Sequence, residues 1–346
     1  MKTNHLLIIL ALATAPLLPA GTIPPPAALQ KAVDDAHAKF KDEKGGANAS
    51  YIPYLAKVPS GLFGVVIVTV DGKVYSAGDV DYGFAIESVS KPFTASLVMN
   101  ESGPETILEK IGVEPTGMPF NSVIALELEP NRSVNPFVNA GAMAAVSLVK
   151  AASPQEKWEK ILAQYSKFAG EKLSMSEEVY QSEASSNQHN RGIAELLASY
   201  NRLYADPLET CDVYTKQCSV LVTAKQLAVM GATIANGGVN PITKERCLDE
   251  ASVPKLLAVM MIAGFYDESG AWAWKSGLPS KTGVGGGIVS VVPGKMAIVG
   301  FSPPLDAAGN SVRGASAIHQ IVSDLNLNLF NTKQHASLHS SPSRQP

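Results

Sequence analysis

The chain has 346 residues, 46% of them hydrophobic, and a formal net charge of −3. This length and apolar content are enough for one large domain, or for two that share a core. Because the charge is near zero and no run of like charges occurs, we expect no nucleic-acid partner.

Residues 1–20 contain one lysine, an apolar run at positions 6–18 and a small residue, Ala20, at their end. This pattern predicts a signal peptide, although cleavage after Ala20 would place Leu18 at the −3 position, where a small residue is usual. The run is shorter than the ~20 apolar residues of a membrane-spanning helix. We therefore expect a periplasmic or secreted protein without a stable membrane anchor. The alternative is an uncleaved leader on a cytoplasmic protein.

Two β-hairpins are predicted, one near each end of the chain. Residues 63–78 contain two apolar runs around an Asp71-Gly72 turn, and residues 286–301 contain two more around Pro293-Gly294-Lys295. Helical patterns occupy the middle of the chain, and one more follows the second hairpin; they lie at 104–112, 140–152, 155–168, 191–204, 223–235, 253–262 and 315–325.

Strands near both ends with helices between them predict an α+β fold in a single catalytic domain over residues 21–330. We expect an antiparallel sheet flanked by helices, drawn from about 50–85 and 280–325, and an all-helical subdomain over about 91–264. The site would lie at their junction. Residues 331–346 are rich in Ser, His, Gln and Pro, so we expect a disordered tail.

Ser88-Val89-Ser90-Lys91 places a lysine three residues after a serine, at the start of a pattern that predicts a buried helix. A serine hydroxyl is a poor nucleophile unless a base takes its proton, and a neutral lysine one helical turn away can do so. A second copy, Ser252 to Lys255, is interpreted as accidental. Pro254 suits the first helical position and leaves Ser252 outside the helix as a cap.

Lys281-Thr282-Gly283 leads into the glycine run 285–287 at the head of a strand. Burial and the charge of Lys281 would both disfavour the ammonium form of Lys91. The glycines would let main-chain N–H groups approach an oxyanion, although a hairpin with a glycine-rich bulge is the ordinary interpretation. Together, the two motifs predict a serine acyl-transfer enzyme.

The three cysteines leave two possibilities open. Cys211 and Cys218 are close enough in sequence to pair if the chain between them bends, leaving Cys247 free; otherwise all three are buried thiols. No zinc-ligand spacing, phosphate loop or dinucleotide fingerprint occurs, so we expect no metal and no cofactor.

A series of ordered blocks resembles the serine-dependent glutaminases, a family with a beta-lactamase/transpeptidase-like fold, over roughly residues 49–325. The blocks are Tyr51-Ile52-Pro53, Ser88 to Lys91, Pro119-Phe120-Asn121-Ser122, residues 135–142, Glu183 with Asn190-Arg191, Gln217-Cys218-Ser219, Tyr266-Asp267, residues 281–287 and residues 302–310. One position departs from the pattern, because the family more often has serine where Thr282 stands. We expect little effect, since both side chains carry a hydroxyl.

The resemblance implies hydrolysis of L-glutamine to L-glutamate and ammonia. It implies that Ser88 is the nucleophile, Lys91 its base and Tyr266 a proton relay to the departing ammonia. It further implies that the oxyanion is held by the backbone N–H groups of Ser88 and Val284. The residues implied to hold the amino-acid end of the substrate are Tyr51, Asn139, Glu183, Asn190 and Tyr214. A homodimer or homotetramer is also implied.

Elementary chemistry supports these binding roles. Glutamine brings an ammonium and a carboxylate into a partly buried site, and each needs a partner. Glu183 can match the ammonium, and Asn139 and Asn190 can donate to the carboxylate. Without the resemblance, each of these residues would be interpreted as an ordinary cap, turn or surface residue.

Two other functions remain open from the sequence. A penicillin-binding carboxypeptidase or a β-lactamase is one, because Ser185-Ser186-Asn187 supplies a Ser-x-Asn motif between the other two in the right order. An inactive amino-acid-binding protein that keeps the fold is the other. It would bind glutamine without consuming it.

Overall fold

The computed structural model describes residues 22–331. The predicted signal peptide and all but the first residue of the predicted tail lie outside the described residues. The strands are β1 (Gly64–Thr69), β2 (Val74–Gly78), β3 (Phe84–Ala85), β4 (Ser174–Met175), β5 (Val220–Val222), β6 (Ser280–Thr282), β7 (Gly287–Val292) and β8 (Met296–Phe301).

Helices make up most of the remaining structure. They are α1 (Pro26–Phe40), α2 (Pro53–Lys57), α3 (Lys91–Ser102), α4 (Val123–Leu128), α5 (Asn139–Leu148), α6 (Pro154–Ala169), α7 (Glu177–Ala184), α8 (Gln188–Ser199), α9 (Pro207–Cys218), α10 (Ala224–Ala235), α11 (Val253–Ala263), α12 (Ser269–Ser276) and α13 (Val312–Asp324). Short 3-10 turns occur at Glu87–Ser90, Glu250–Ser252 and Tyr266–Glu268.

The main sheet has five antiparallel strands in the order β2-β1-β8-β7-β6. Both predicted hairpins belong to it, and β1 from one hairpin pairs with β8 from the other. Every residue of β1, β7 and β8 is buried, because helices cover both faces of the sheet. The sheet is therefore completed by both ends of the chain.

Helix α10 packs on one face of this sheet, and α1 and α13 pack on the other. The contact with α10 is close because Gly231 has no side chain: a Cβ there would lie 2.5 Å from a methyl carbon of Val289. Helices α3, α5, α6 and α9 pack on one another beyond α10, around Phe93 and Tyr165. These four helices therefore lie on the same side of the sheet as α10.

Several details differ from the sequence-based expectations. The region predicted as a helix at 104–112 is a short π-helix, Ile107–Ile111. The subdomain over about 91–264 is not all-helical, because β4 and β5 lie within it and join β3 in a small second sheet, ordered β3-β5-β4, that had no sequence signal. Ser88 lies in the 3-10 turn before α3, with Pro92 near the start of α3. All three cysteines are buried free thiols. Within residues 22–331, no helix is long and apolar enough to cross a membrane.

Candidate active site

Ser88 and Lys91 meet at the junction of the sheet and the helical layer. The 3-10 turn ends at Ser90 and α3 begins at Lys91, so the three-residue spacing brings the two side chains to one side. Lys91 Nζ lies 2.9 Å from Ser88 Oγ and donates a hydrogen bond to Asn139 Oδ1 at 2.8 Å. Both residues are buried. This distance allows a neutral Lys91 to take the hydroxyl proton.

Burial is the main reason why Lys91 gives up its proton readily. It lowers the pKa of Lys91 to about 8, although the charges of Glu87 and Glu183 act in the opposite direction. Lys281 lies close enough to Lys91 for the charges of the two ammonium groups to interact. The pKa of Lys281 lies well below its ordinary range, because it is buried and because the charge of Lys91 is nearby.

The amine of Lys281 also packs against the ring of Tyr266. Its Nζ donates to the carbonyl oxygen of Thr282 at 2.6 Å and lies 4.4 Å from the centroid of the Tyr266 ring. The ring of Phe120 packs on Tyr266 with centroids 4.6 Å apart. Tyr266 is held with a φ of 56°, a left-handed conformation that a non-glycine residue adopts only when the surroundings enforce it.

The Tyr266 hydroxyl is buried and has no well-formed hydrogen bond in the described part of the chain. Burial raises its pKa well above the ordinary range, and an interaction with the Ser88 hydroxyl opposes that rise. The phenol is therefore protonated at neutral pH and close to Ser88. Such a group is available to share a proton with a leaving group.

The glycine run brings the turn after β6 against Ser88. A Cβ on Gly283 would lie 2.9 Å from a methyl carbon of Val89, and one on Gly285 would lie 2.1 Å from the carbonyl oxygen of Ala85. Gly283 and Gly286 donate to carbonyls within the turn, whereas no backbone carbonyl of residues 22–331 accepts from the N–H of Val284. The Val284 amide is thus available to an oxyanion.

Asn139, Asn190 and Tyr214 form a hydrogen-bonded chain beside Lys91. The Asn139 amide nitrogen donates to Asn190 Oδ1 at 3.0 Å, and Tyr214 OH donates to Asn139 Oδ1 at 3.0 Å. Gly141 lets α5 begin here, since a Cβ on it would lie 1.8 Å from the carbonyl oxygen of Asn135. Residues from α5, α8 and α9 are therefore brought together, although they are far apart in sequence.

Glu183 lies on the same side of Lys91, next to a residue that the sequence analysis did not select. The ligand atoms of Glu87, Glu183 and Cys218 all lie within 4.8 Å of one another, and Glu87 is only 3% exposed. Burial raises the pKa of Glu183 to about 7, and burial together with the charge of Glu183 raises that of Glu87 well above its ordinary range.

This cluster suits an organic ammonium better than a metal ion. The two carboxyl groups lie close together, and burial with their charges raises the pKa of the Cys218 thiol well above its ordinary range. The sequence signal for Glu87 was its place directly before the predicted nucleophile, in a turn of buried residues.

Tyr51 lies at the mouth of the site. Tyr51 is 57% exposed, and burial together with the charges of Glu87 and Glu183 raises the pKa of its hydroxyl. It borders a cavity of about 430 Å³ between the loops 46–51 and 305–309, which Phe120 also lines. The structure therefore brings every predicted site residue to one region.

The Ser-x-Asn tripeptide is turned away from that region. The hydroxyls of Ser185 and Ser186 both donate to the carbonyl oxygen of Ser182, and both side chains are exposed. Asn187 donates to Thr215 Oγ1 at 3.2 Å. In the second Ser-x-x-Lys copy, Lys255 extends to the surface and faces Glu105 at 4.0 Å.

Comparison with known proteins gives one consistent family. The sequence profile of the family described as "Glutaminase" matches residues 46–330. A protein described as "Glutaminase" from Mycobacterium ulcerans is 54% identical over 305 residues, which cover 88% of this chain and 95% of that protein.

Solved structures agree with this family. One described as "Probable glutaminase ybaS" superposes with a TM-score of 0.88 at 52% identity, covering 89% of this chain and 100% of that one. The Bacillus subtilis glutaminase YbgJ, solved as a covalent complex with 5-oxo-L-norleucine, superposes with a TM-score of 0.78 at 29% identity, covering 89% and 100% of the two chains. The predicted beta-lactamase-like fold is therefore confirmed.

Proposed function

The chain belongs to the glutaminase family and is an amidohydrolase, and we propose that it hydrolyses L-glutamine to L-glutamate and ammonia through an acyl-enzyme on Ser88. The observation that carries this mechanism is the 2.9 Å distance between Ser88 Oγ and the Nζ of a buried Lys91. In its neutral form, Lys91 removes the hydroxyl proton as Oγ attacks the carbon of the side-chain amide.

The attack places negative charge on the amide oxygen. The backbone N–H groups of Ser88 and Val284 are the proposed donors to that oxygen, in a site where burial strengthens each interaction. When the C–N bond breaks, the nitrogen needs a proton to leave as ammonia. The Tyr266 phenol delivers the proton that Lys91 took from Ser88, and a γ-glutamyl ester of Ser88 remains.

The ester is hydrolysed by the same sequence of steps, with water as the nucleophile in place of Ser88. Lys91 accepts the water proton, with the Tyr266 phenol as the relay, as the oxygen attacks the ester carbon, and the oxyanion occupies the same pair of N–H groups. The bond to Oγ then breaks, Ser88 regains its proton and glutamate leaves. Each step uses groups of this chain and needs no cofactor.

The amino-acid end of the substrate sets its position. Glu183 is the proposed partner of the α-ammonium, and the amides of Asn139 and Asn190 with the hydroxyls of Tyr51 and Tyr214 are the proposed partners of the α-carboxylate. Since both charged groups are matched, their transfer from water into the buried site is compensated. Because the site offers partners for both the α-ammonium and the α-carboxylate, it favours a free amino acid as the substrate.

Replacement of Ser88 tests this mechanism. Ser88→Ala should lower kcat for ammonia release by several orders of magnitude, because no other group can form the ester. Ser252→Ala is the matched control, since it removes the serine of the second Ser-x-x-Lys copy. Treatment with 6-diazo-5-oxo-L-norleucine should release N2 and leave a 5-oxo-L-norleucine group on the peptide that contains Ser88, and should not label the variant. Full turnover by Ser88→Ala would refute the proposal.

The two rival functions predict different results. A penicillin-binding enzyme would form a stable adduct with penicillin and release no ammonia from glutamine. The outward-facing Ser185 and Ser186 hydroxyls argue against that function. An inactive binding protein would bind glutamine equally well before and after Ser88→Ala and would consume none of it.

We propose two further properties, an oligomeric state and export from the cytoplasm. A homodimer or homotetramer is supported by Ile124 and Leu128, which lie four residues apart on α4 and are 65% and 68% exposed. Light scattering of the purified protein would test it. Export is supported by the apolar segment 6–18 alone, and N-terminal sequencing of the protein from its source would test it.

A further inference from the structure

Glu87 is a buried carboxyl group with no assigned role. Its backbone has a φ of 49°, so the turn that presents Ser88 begins with a strained residue. The Ser90 hydroxyl donates to the carbonyl oxygen of Glu87 at 2.5 Å and fixes that conformation. Gly285 leaves room for the side chain, since a Cβ there would lie 3.3 Å from Glu87 Cγ. The fold therefore holds this carboxyl group in place.

The two oxygens of Glu87 have different surroundings. A carboxyl oxygen of Glu87 lies within 4.8 Å of a carboxyl oxygen of Glu183, while Glu87 Oε1 is buried without a partner in the described part of the chain. Two carboxylates at this distance cannot both be ionised in a buried site, so one must hold a proton. A protonated acid has one donor O–H and one free carbonyl oxygen, which matches the two environments.

The charge of Lys91 lowers the pKa of both Glu87 and Glu183, but burial raises both by more. Lys91 directs its hydrogen bonds to Ser88 and Asn139. Burial keeps the remaining titratable groups in their neutral forms, and these are Tyr51, Tyr214, Cys218 and Tyr266.

We infer that Glu87 is a positioning residue that works as a neutral acid: its O–H donates to Glu183 and keeps Glu183 as the one carboxylate that receives the substrate ammonium. The ammonium subsite has a net charge of −1 and matches a single positive charge. This inference rests on the proposed function, because it deepens the role given to Glu183.

Three substitutions separate this role from a merely structural one. Glu87→Gln keeps the shape, a donor N–H and a free oxygen, so kcat/KM should stay within about threefold of the original value. Glu87→Ala removes the donor, so the pKa of Glu183 should rise further. The acid limb of kcat/KM should move to higher pH, and KM should rise about tenfold or more. Glu183→Gln removes the charge and should raise KM by about a hundredfold.

The pH profile of kcat/KM for ammonia release is the measurement. Glu178→Gln, at an exposed glutamate on the helix that carries Glu183, is the matched control, and thermal unfolding checks that each variant folds. Difference infrared spectra between the unsubstituted protein and Glu87→Gln provide a second readout. The C=O band of a protonated carboxylic acid should be present at neutral pH and absent in Glu87→Gln.

The outcomes are distinct. If Glu87→Gln loses as much activity as Glu183→Gln, Glu87 is the charged member and the inference is wrong. It is equally wrong if Glu87→Ala leaves the pH profile unchanged, or if the infrared band persists in Glu87→Gln. If no variant and not even the unsubstituted protein releases ammonia, the proposed function has failed instead. The infrared result would still report on the proton.

Discussion

The ionisation of Lys91 makes a quantitative prediction about pH. Its pKa is lowered to about 8, and only the neutral amine can take the proton of Ser88. The neutral fraction is about 9% at pH 7 and about 76% at pH 8.5, so the ionisation of Lys91 alone should raise kcat/KM about eightfold between these values, and the ionisation of Glu183 adds to the rise. The activity must rise rather than fall with pH, because Lys91 gains its active, neutral form as its proton is removed.

The assay is the initial rate of ammonia release at glutamine concentrations well below KM. Under this condition kcat/KM reports the ionisation of the free enzyme. The upper pH stays below the range where the substrate ammonium loses its proton. Lys91→Arg should lower kcat by about a thousandfold or more at every pH, because a guanidinium is not deprotonated in proteins.

Two results would refute this reasoning. A profile that is flat between about pH 7 and pH 8.5 would mean that Lys91 does not ionise in this range or is not the base. A midpoint near about pH 10.4 would mean that burial does not lower the pKa of the amine. In contrast, Ser252→Ala should leave the midpoint of the profile unchanged.

Two further predictions concern glycines that allow close approach. Gly283→Ala would place a Cβ 2.9 Å from a methyl carbon of Val89 and shift the Val284 amide, so kcat should fall about tenfold to a hundredfold. The control is Gly270→Ala, whose Cβ meets nothing within 4 Å and should leave kcat unchanged. Gly231→Ala would place a Cβ 2.5 Å from a side chain of β7, so denaturant unfolding should show a loss of about 1–3 kcal/mol.

The hairpins and most helices of this fold follow from local pattern. The alternation and turn residues at 63–78 and 286–301 predicted the strands that form the sheet, and apolar periodicity predicted α5, α6 and α10 closely. The helices α1, α2, α4, α7, α9 and α12 were not predicted. The region that forms the π-helix at Ile107–Ile111 was predicted as an ordinary helix, because propensity does not reveal a local change that depends on packing.

The catalytic pair is also a local feature. Ser88 and Lys91 are three residues apart on one turn, so the spacing alone predicted their contact. The contact of Lys91 with Asn139 spans 48 residues. Only the resemblance to a family suggested it, since no local rule connects positions on different helices.

The sequence by itself determined which chemical groups are available, where the turns fall, and that a serine and a lysine share one face. The tertiary structure decided how readily these groups carry charge: it lowered the pKa values of Lys281 and Lys91 and brought Glu87 close to Glu183. The physical reason is that protonation depends on burial and on neighbouring charges, and both depend on long-range packing rather than on local sequence.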